Sequence, residues 1–428
     1  MISGKNRVFL FLQGPHGPYF QRLGRMLRAA GADVWRVGFN AGDEFFWNDR
    51  ARYIPFLDAA ELWPDRFRRI VAERGVTDLV LYGDIRPIHA HAVEAAKKLG
   101  LTIHVFEEGY LRPYWVTYER DGSNGNSALM QLSIADMQEA LARADLDVPE
   151  PPAYWGDMRQ HLFYGAVYHG LLLMMNGRYR NFRPHRELTV LQEFRLYLKR
   201  LLLMPWLWAD RVQATWRVKY GGFPYHLTLL QLAHDSSFIA HSRFGSMTAF
   251  LETVIEGFAA GAPPHHHMVF KAHPLEDGRV PIRREIRRLA RQYGVADRVH
   301  YVRGGKLAQL LDHARSAVTV NSTAAQQVLW RGLPLKVFGE AVYAKPEFVS
   351  SQPLQDFFSH PERPDNRAYR DYRHFLLETS QIAGSFYSAR GRRQLLRQVV
   401  DMMLAAEDPY DALRHGTAAP RQQLRVIK

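Results

Sequence analysis

The chain has 428 residues, room for two or three domains at about 150 residues each. Its 47% hydrophobic and 23% charged residues are the balance of a folded globular protein and exclude a disordered one. The absence of cysteine excludes disulfides, thiolate zinc sites and cysteine nucleophiles, while a net charge of +13 favours an anionic partner: nucleic acid, an anionic membrane face or a phosphorylated substrate.

In chain order, Arg7–Leu12 predicts a short strand, Tyr19–Ala30 a helix stopping at Gly31, and Asp33–Phe39 a strand. Asp65–Arg74 reads as a helix closed by Gly75, Asp78–Tyr82 as a strand, Ile88–Leu99 as a helix closed by Gly100, and Leu101–Phe106 as a strand. Strands alternating with helices of this length predict βαβ units and a parallel sheet. Residues 131–225 break the rhythm; they are helix-rich, aromatic and basic, with Pro151-Pro152 as a loop signal. Alternation resumes with His226–Leu232, a long helix over Phe238–Ala259, the strand His267–Ala272 and the basic helix Ile282–Tyr293. Arg298–Val302, Leu307–Ala314, Ala317–Val320, Thr323–Trp330 and Leu335–Phe338 continue as strand, helix, strand, helix, strand. The remainder, 351–428, reads as mostly helical with a polar basic tail. The expected class is therefore α/β: two doubly wound domains facing across a cleft, 1–130 and 226–350, with a helical insertion or bridge at 131–225 and C-terminal helices at 351–428. No signal peptide is visible at the N-terminus. The apolar stretches Leu162–Met175 and Leu196–Trp208 are both interrupted short of the roughly 18 residues of a spanning helix. A cytoplasmic protein is expected.

Ligands of doubly wound sheets bind beyond the carboxyl ends of the strands, and polar clusters fall there. Gln13-Gly14-Pro15-His16-Gly17-Pro18 lets a backbone approach a ligand closely, and suits a tight turn equally well. Glu107-Glu108-Gly109-Tyr110-Leu111-Arg112-Pro113 offers two carboxylates that alternate faces on an extended strand. One of them is a candidate general acid or base; the alternative is an ion pair with Arg112. Asp235, in Ala233-His234-Asp235-Ser236-Ser237, is either an N-cap or a carboxylate suited to an anomeric centre. Lys271-Ala272-His273-Pro274 places a lysine and a histidine at a strand end, where they could donate to a phosphate. Val320-Asn321-Ser322-Thr323 opens a helix with cap residues, a geometry shared by capping and phosphate binding.

Adjacent imidazoles rarely converge on one metal, so His265-His266-His267 reads as a solvated loop. Asp145-Leu146-Asp147 lies away from any strand end and is not read as a metal site. No Walker loop, nucleophile elbow or HExxH occurs. Between Phe194 and Lys219, six basic residues interleave with three tryptophans. That pattern fits an anionic membrane interface or a buried helical hairpin better than nucleic acid, for which no binding pattern is present.

Together these clusters resemble the KpsS/LipB family of capsule polysaccharide proteins. The resemblance is carried by Gln13–Pro18, Arg36–Asp43 with Phe46-Trp47, Glu107–Pro113 with Thr117 and Glu119, Gln231–Ser242, Lys271–Pro274, Asn321–Thr323 and Gln381–Tyr387, in the family's order. It implies a GT-B-like retaining β-Kdo glycosyltransferase that uses CMP-Kdo, without metal or other cofactor. The implied acceptor is a lysophosphatidylglycerol-type lipid at the cytoplasmic face of the inner membrane, with a second Kdo transferase and the export machinery as further partners and no nucleic acid. His273 would meet the CMP phosphate with Lys271 and Asn321 nearby, and Ser322 and Thr323 would cap it. Asp235 would be the nucleophile, Glu108 the base with Glu107 as its substitute, and Gln13, Gly14, His16 and Arg112 would line the cleft. Ala324 departs from the glycine expected after the Ser-Thr pair. Two alternatives are a cytoplasmic transferase of another nucleotide sugar and a non-catalytic glycolipid adaptor for export.

Overall fold

The computed structural model describes residues 4–143, 158–182, 190–233, 236–276, 278 and 280–418. Asp235, the Asp145-Leu146-Asp147 triplet, Pro151-Pro152 and the end of the basic tail lie outside the described residues. The chain forms two compact units, residues 1–190 with 373–428, and residues 191–372.

The first unit is built on a seven-stranded sheet. Its strands are β1 (Val8–Phe11), β2 (Asp33–Gly38), β3 (Tyr53–Pro55), β4 (Asp78–Tyr82), β5 (Thr102–Glu108), β6 (Trp115–Arg120) and, from the far end of the chain, β12 (Gln381–Ala383). The order is β12-β6-β5-β4-β1-β2-β3; β1 to β5 run parallel, and β6 is antiparallel to both β5 and β12. The central strands read as unbroken apolar runs because helices cover both faces. Around the sheet lie α1 (Tyr19–Ala29), the short α2 (Ala41–Phe45), α3 (Trp63–Arg74), α4 (Pro87–Lys98), α5 (Ile134–Ala142) and α6 (Met158–Met175). On one face α1 and the late helix α16 (Ala389–Leu404) pack Leu23, Leu27, Leu395, Val399 and Met403 against Phe9, Phe11 and Tyr118. On the other, α3 and α4 pack Phe67, Ile70, Ala92 and Ala96 against Leu10, Leu79 and Val105. The last helix of this unit is α17 (Pro409–Arg414).

The second unit has five parallel strands in the order β11-β10-β7-β8-β9. They are β7 (Tyr225–Leu229), β8 (His267–Lys271), β9 (Val299–Val302), β10 (Ala314–Thr319) and β11 (Leu335–Val337). The helices are α7 (Val190–Leu202), α8 (Met204–Tyr220), α9 (Ser236–Ala240), α10 (Met247–Gly261), α11 (Ile282–Gln292), α12 (Leu307–Leu311), α13 (Gln326–Trp330), α14 (Leu354–Ser359) and α15 (Asn366–Glu378), the last of which leads back to the first unit. Phe250, Val254, Ile255 and Phe258 of α10 fill the core against Met268, Phe270 and Val318.

Both parallel-sheet units of the expected α/β class are present. Several element readings change. The long helix over Phe238–Ala259 is two, because Ser246 caps α10 by accepting from the Ala249 N–H at 3.2 Å and Ser242 bridges to Gly339 instead of continuing the coil. Across the expected helical insertion or bridge, α6 buries Tyr168 and Leu172 against Phe46 in the first unit, while α7 and α8 fall in the second. Within the mostly helical C-terminal region, the short strand β12 completes the first sheet by pairing Gln381 with Thr117. Of the histidine run, His265 is exposed in a turn as expected, but the other two are packed. His266 is buried with its Nδ1 3.1 Å from His226 Nε2, and His267 starts β8 with its Nδ1 2.8 Å from His300 Nε2. Burial pushes His226 and His266 down to about 3 and about 4, so both stay neutral.

Candidate functional site

In the first sheet the strand order reverses between β1 and β4, so the polar groups beyond their carboxyl ends line the switch point. The loop after β1 holds Gln13, buried, whose Nε2 donates to Asp43 Oδ2 at 3.1 Å. Asp43 is fixed in α2, where Asn40 caps the first turn by accepting from the Asp43 N–H at 2.9 Å. Its carboxylate also accepts from the Phe39 N–H at 3.1 Å and the Tyr168 hydroxyl at 3.2 Å, and pairs with buried Arg36 at 3.3 Å. His16 stacks on the Tyr168 ring with centroids 4.3 Å apart. A Cβ at Gly14 would lie 2.5 Å from the Phe20 ring, and Gly17 has φ +108°. These glycines therefore serve a tight turn packed against the fold; Gln13 faces Asp43 and holds the loop.

Glu107 and Glu108 close β5 as its last two residues, rather than following it as the sequence suggested. Antiparallel pairing with β6 places them opposite Thr117 and Val116, and the pleat sends their side chains to opposite faces. On one face, Glu108 Oε1 accepts from the Tyr82 hydroxyl at 3.2 Å and lies beside Tyr387, whose hydroxyl interacts with both groups. Tyr387 stacks on His161 at 4.0 Å between centroids. Burial pushes that imidazole down while the Glu108 charge opposes the shift. Glu107 Oε1 accepts from the Glu108 backbone N–H at 3.0 Å. Burial, reinforced by the Glu108 charge and opposed by Arg86 and Arg112, pushes its carboxyl up to about 7. Arg112 does not form the anticipated ion pair with either carboxylate; its Nε donates to the Gly109 carbonyl at 3.1 Å.

Three members of this cluster were not singled out from sequence. Arg86 follows the end of β4, where the strand-end rule would have flagged it. Tyr387 sits in the late stretch that carries the resemblance. His161 lies in an apolar helical run that gives no signal. A second buried carboxylate, Glu119, is also pushed up to about 7 by burial. It accepts from the Tyr110 and Tyr410 hydroxyls, both at 2.5 Å, and from Ser127. With three hydroxyls on it, Glu119 ties α17 and the 123–127 turn to the sheet.

In the second sheet the order reverses between β7 and β10. Gln231, just past β7, and Asn321, just past β10, clasp each other there: Gln231 Nε2 donates to Asn321 Oδ1 at 2.8 Å, and the Asn321 N–H donates to Gln231 Oε1 at 3.1 Å. Asn321 Nδ2 also reaches the His241 carbonyl at 3.2 Å, so its side chain braces the switch point. Next to it, Ser322 Oγ accepts from the Ala324 N–H at 3.3 Å and caps the short 3-10 turn Thr323–Ala325 that leads into α13. Lys271 ends β8, buried, with its Nζ donating to the Ala272 carbonyl at 3.2 Å. Desolvation pulls its ammonium down to about 8. His273 Nδ1 accepts from the Leu275 N–H at 3.1 Å, which places the ring proton of the neutral form on Nε2. Lys271 and His273 thus lie at and just past the carboxyl end of β8, and Asn321, Ser322 and Thr323 just past that of β10, with β7 between the two strands.

The family model described as capsule polysaccharide biosynthesis protein matches residues 77–387. The capsule polysaccharide modification protein LipB of Neisseria meningitidis serogroup B is 31% identical over 393 residues, covering 89% of this chain and 91% of its own. The capsule polysaccharide export protein KpsS of Escherichia coli is 28% identical over 400 residues, covering 90% and 98%. Among solved structures, the β-Kdo 2,7 transferase KpsC of Thermosulfurimonas dismutans aligns over 93% of this chain and 100% of its own, with 12% identity and a TM-score of 0.44. Matched by the family model from the fourth strand to Tyr387, and by a relative over nine-tenths of both chains, this chain belongs to the family of capsule polysaccharide biosynthesis proteins.

Proposed function

We propose that this chain is a retaining β-Kdo glycosyltransferase, moving Kdo from CMP-Kdo to a lysophosphatidylglycerol-type lipid at the cytoplasmic face of the inner membrane and so starting the linker of a capsular polysaccharide. The observation that carries the reading is Glu107: a carboxyl at the end of a strand, held near pKa 7 beside a second carboxylate, in a chain of a family that builds capsule polysaccharide. A general base works best when its proton affinity lies near the working pH.

In this reading Lys271, His273, Ser322 and Thr323 bind the CMP phosphate, with Asn321 bracing the loop. The Asp235 carboxylate attacks the Kdo anomeric carbon; a carbon–oxygen bond forms as the bond to phosphate oxygen breaks, and CMP leaves with the electron pair. The Glu107–Glu108 pair then takes the proton of the acceptor hydroxyl, whose oxygen displaces Asp235 from the opposite side. Two inversions give net retention, and the enzyme carboxylate is restored.

The test is incubation of the purified protein with CMP-Kdo, generated in place, and a fluorescent lysophosphatidylglycerol mimic, read by product mass. A gain of one Kdo is the expected outcome, abolished in Asp235→Ala with CMP binding retained. Folded protein that binds CMP without forming product would move the assignment to another sugar or acceptor. Neither product nor CMP binding would favour a non-catalytic adaptor, the reading that the export name of the Escherichia coli relative favours.

A further inference from the structure

We infer that a cationic cavity between α8 and α11 holds the phosphate of an acidic phospholipid headgroup and, with the apolar outer side of α8, fastens the second unit to a membrane surface. The inference does not rest on the transferase reading. The cavity, about 510 Å³, flanks the edge strand β9, with His300 and Tyr301 in its wall, and does not sit at the β7–β10 switch point.

Arg217 of α8 and Arg283, Arg287 and Arg291 of α11 line it. The three α11 arginines recur every fourth residue, so they share one side of the helix, and like charges at that spacing repel. Within this cavity one carboxylate faces them, Asp210, 3.0 Å from Arg283. Among the described residues, Arg217, Arg287 and Arg291 have no ion-pair partner. An adjoining cavity of about 360 Å³ adds Arg284 and Arg303, together with the carboxylate-bearing Glu276, and the buried Nε of Arg303 has no hydrogen-bond partner. Planar guanidinium groups around a concave space match the several acceptor oxygens of a phosphate, which would relieve the repulsion.

The source of that phosphate is indicated by the outer side of α8. Trp208, Val212 and Trp216 recur every fourth residue and are 58%, 44% and 63% exposed, whereas Val218 is buried. Just before them Leu201, Leu202, Leu203, Met204 and Trp206 are exposed too. A soluble helix buries such a stripe. Tryptophan beside arginine is the composition of a helix lying in a bilayer interface, and among the described residues no helix is long and apolar enough to cross a membrane.

The experiment is co-sedimentation of the full chain with phosphatidylcholine vesicles, pure or with one third phosphatidic acid, alongside direct titration with glycerol 3-phosphate and with duplex DNA. Binding is expected only to the acidic vesicles, weakened about fivefold for each arginine removed in Arg217→Ala and Arg287→Ala/Arg291→Ala and reduced by salt. Trp208→Ala/Trp216→Ala should lose vesicle binding and keep glycerol 3-phosphate binding. Unfolding curves matching the wild type show that the variants are folded, and Arg287→Lys/Arg291→Lys should retain part of the binding. Arginine variants that bind vesicles like the wild type would overturn the proposal. So would glycerol 3-phosphate binding without any vesicle association, which would assign the cavity to a soluble phosphate ester. Duplex DNA binding that the arginine variants lose, with no vesicle binding, would overturn it in favour of nucleic acid.

Discussion

At Glu107, burial and the adjacent Glu108 charge hold the carboxyl at about 7, so its ionised fraction falls as pH drops through neutrality. A general base acts ionised, and transfer should lose rate on the acid side of pH 7. Glu107→Gln should lower turnover by about 10²- to 10⁴-fold, and any residual activity should lack that acid limb in a pH–rate profile. At Lys271 the direction is opposite. The ammonium, pulled down to about 8 by desolvation, loses its charge as pH rises through that value, so CMP affinity measured by calorimetry should weaken above pH 8. Lys271→Met should cost tenfold or more in affinity at neutral pH, about the worth of a charge-assisted hydrogen bond. Two adjacent glutamates and a strand-end lysine were visible in the sequence. The proton affinities of Glu107 and Lys271 were not, because each follows from how deeply the folded chain buries the group.

Among the elements, α2 and α6 show how closely the first switch point is packed. A Cβ at Gly42 would lie 2.5 Å from the Tyr168 ring, so Gly42→Ala should force α6 away and destabilise the protein by about 1–3 kcal/mol in denaturant unfolding. At the amino ends of β4 and β5, Asp78 accepts from Arg7 and from His104 Nε2, the latter at 2.8 Å. His104 Nδ1 accepts from the Tyr118 hydroxyl at 2.7 Å. Burial holds His104 down at about 4, and hydrogen bonds from His104 and Arg7, outweighing burial, hold Asp78 at about 2. Both folded values lie below the unfolded ones, so the unfolded chain binds more protons between them and stability falls with falling pH. The loss should begin near pH 6.5 as unfolded His104 charges, and deepen from about pH 4 towards pH 2 as Asp78 protonates. In acid-unfolding curves, Asp78→Asn should flatten the lower part and lower stability at neutral pH.

On the scale of the whole molecule, the chain leaves the first unit after residue 190 and returns at 373 to complete it. The returning segment supplies β12 and α16, whose Leu395, Val399 and Met403 lie in the same core as Phe9, Phe11 and Tyr118. At about 1.5–3 kcal/mol for each large apolar side chain uncovered, removing residues 373–428 should exceed a typical stability of about 5–15 kcal/mol. A chain ending at residue 372 should therefore be recovered unfolded or aggregated, as judged by soluble yield and near-ultraviolet circular dichroism.

The sequence by itself determined the strand–helix rhythm of both sheets and most of the strand-end clusters, because unbroken apolar runs and glycine stops are local signals. It also carried the family resemblance, which needs only residue types in order. Tertiary structure decided what depends on partners distant in sequence. It joined β12 to β6, divided the middle helices between the two units, turned Gln13 and Asn321 into braces, and left α8 with an uncovered apolar side. It also set Glu107 near neutrality, since a carboxyl's proton affinity follows from which side chains keep water from it, and adjacency along the chain does not encode that.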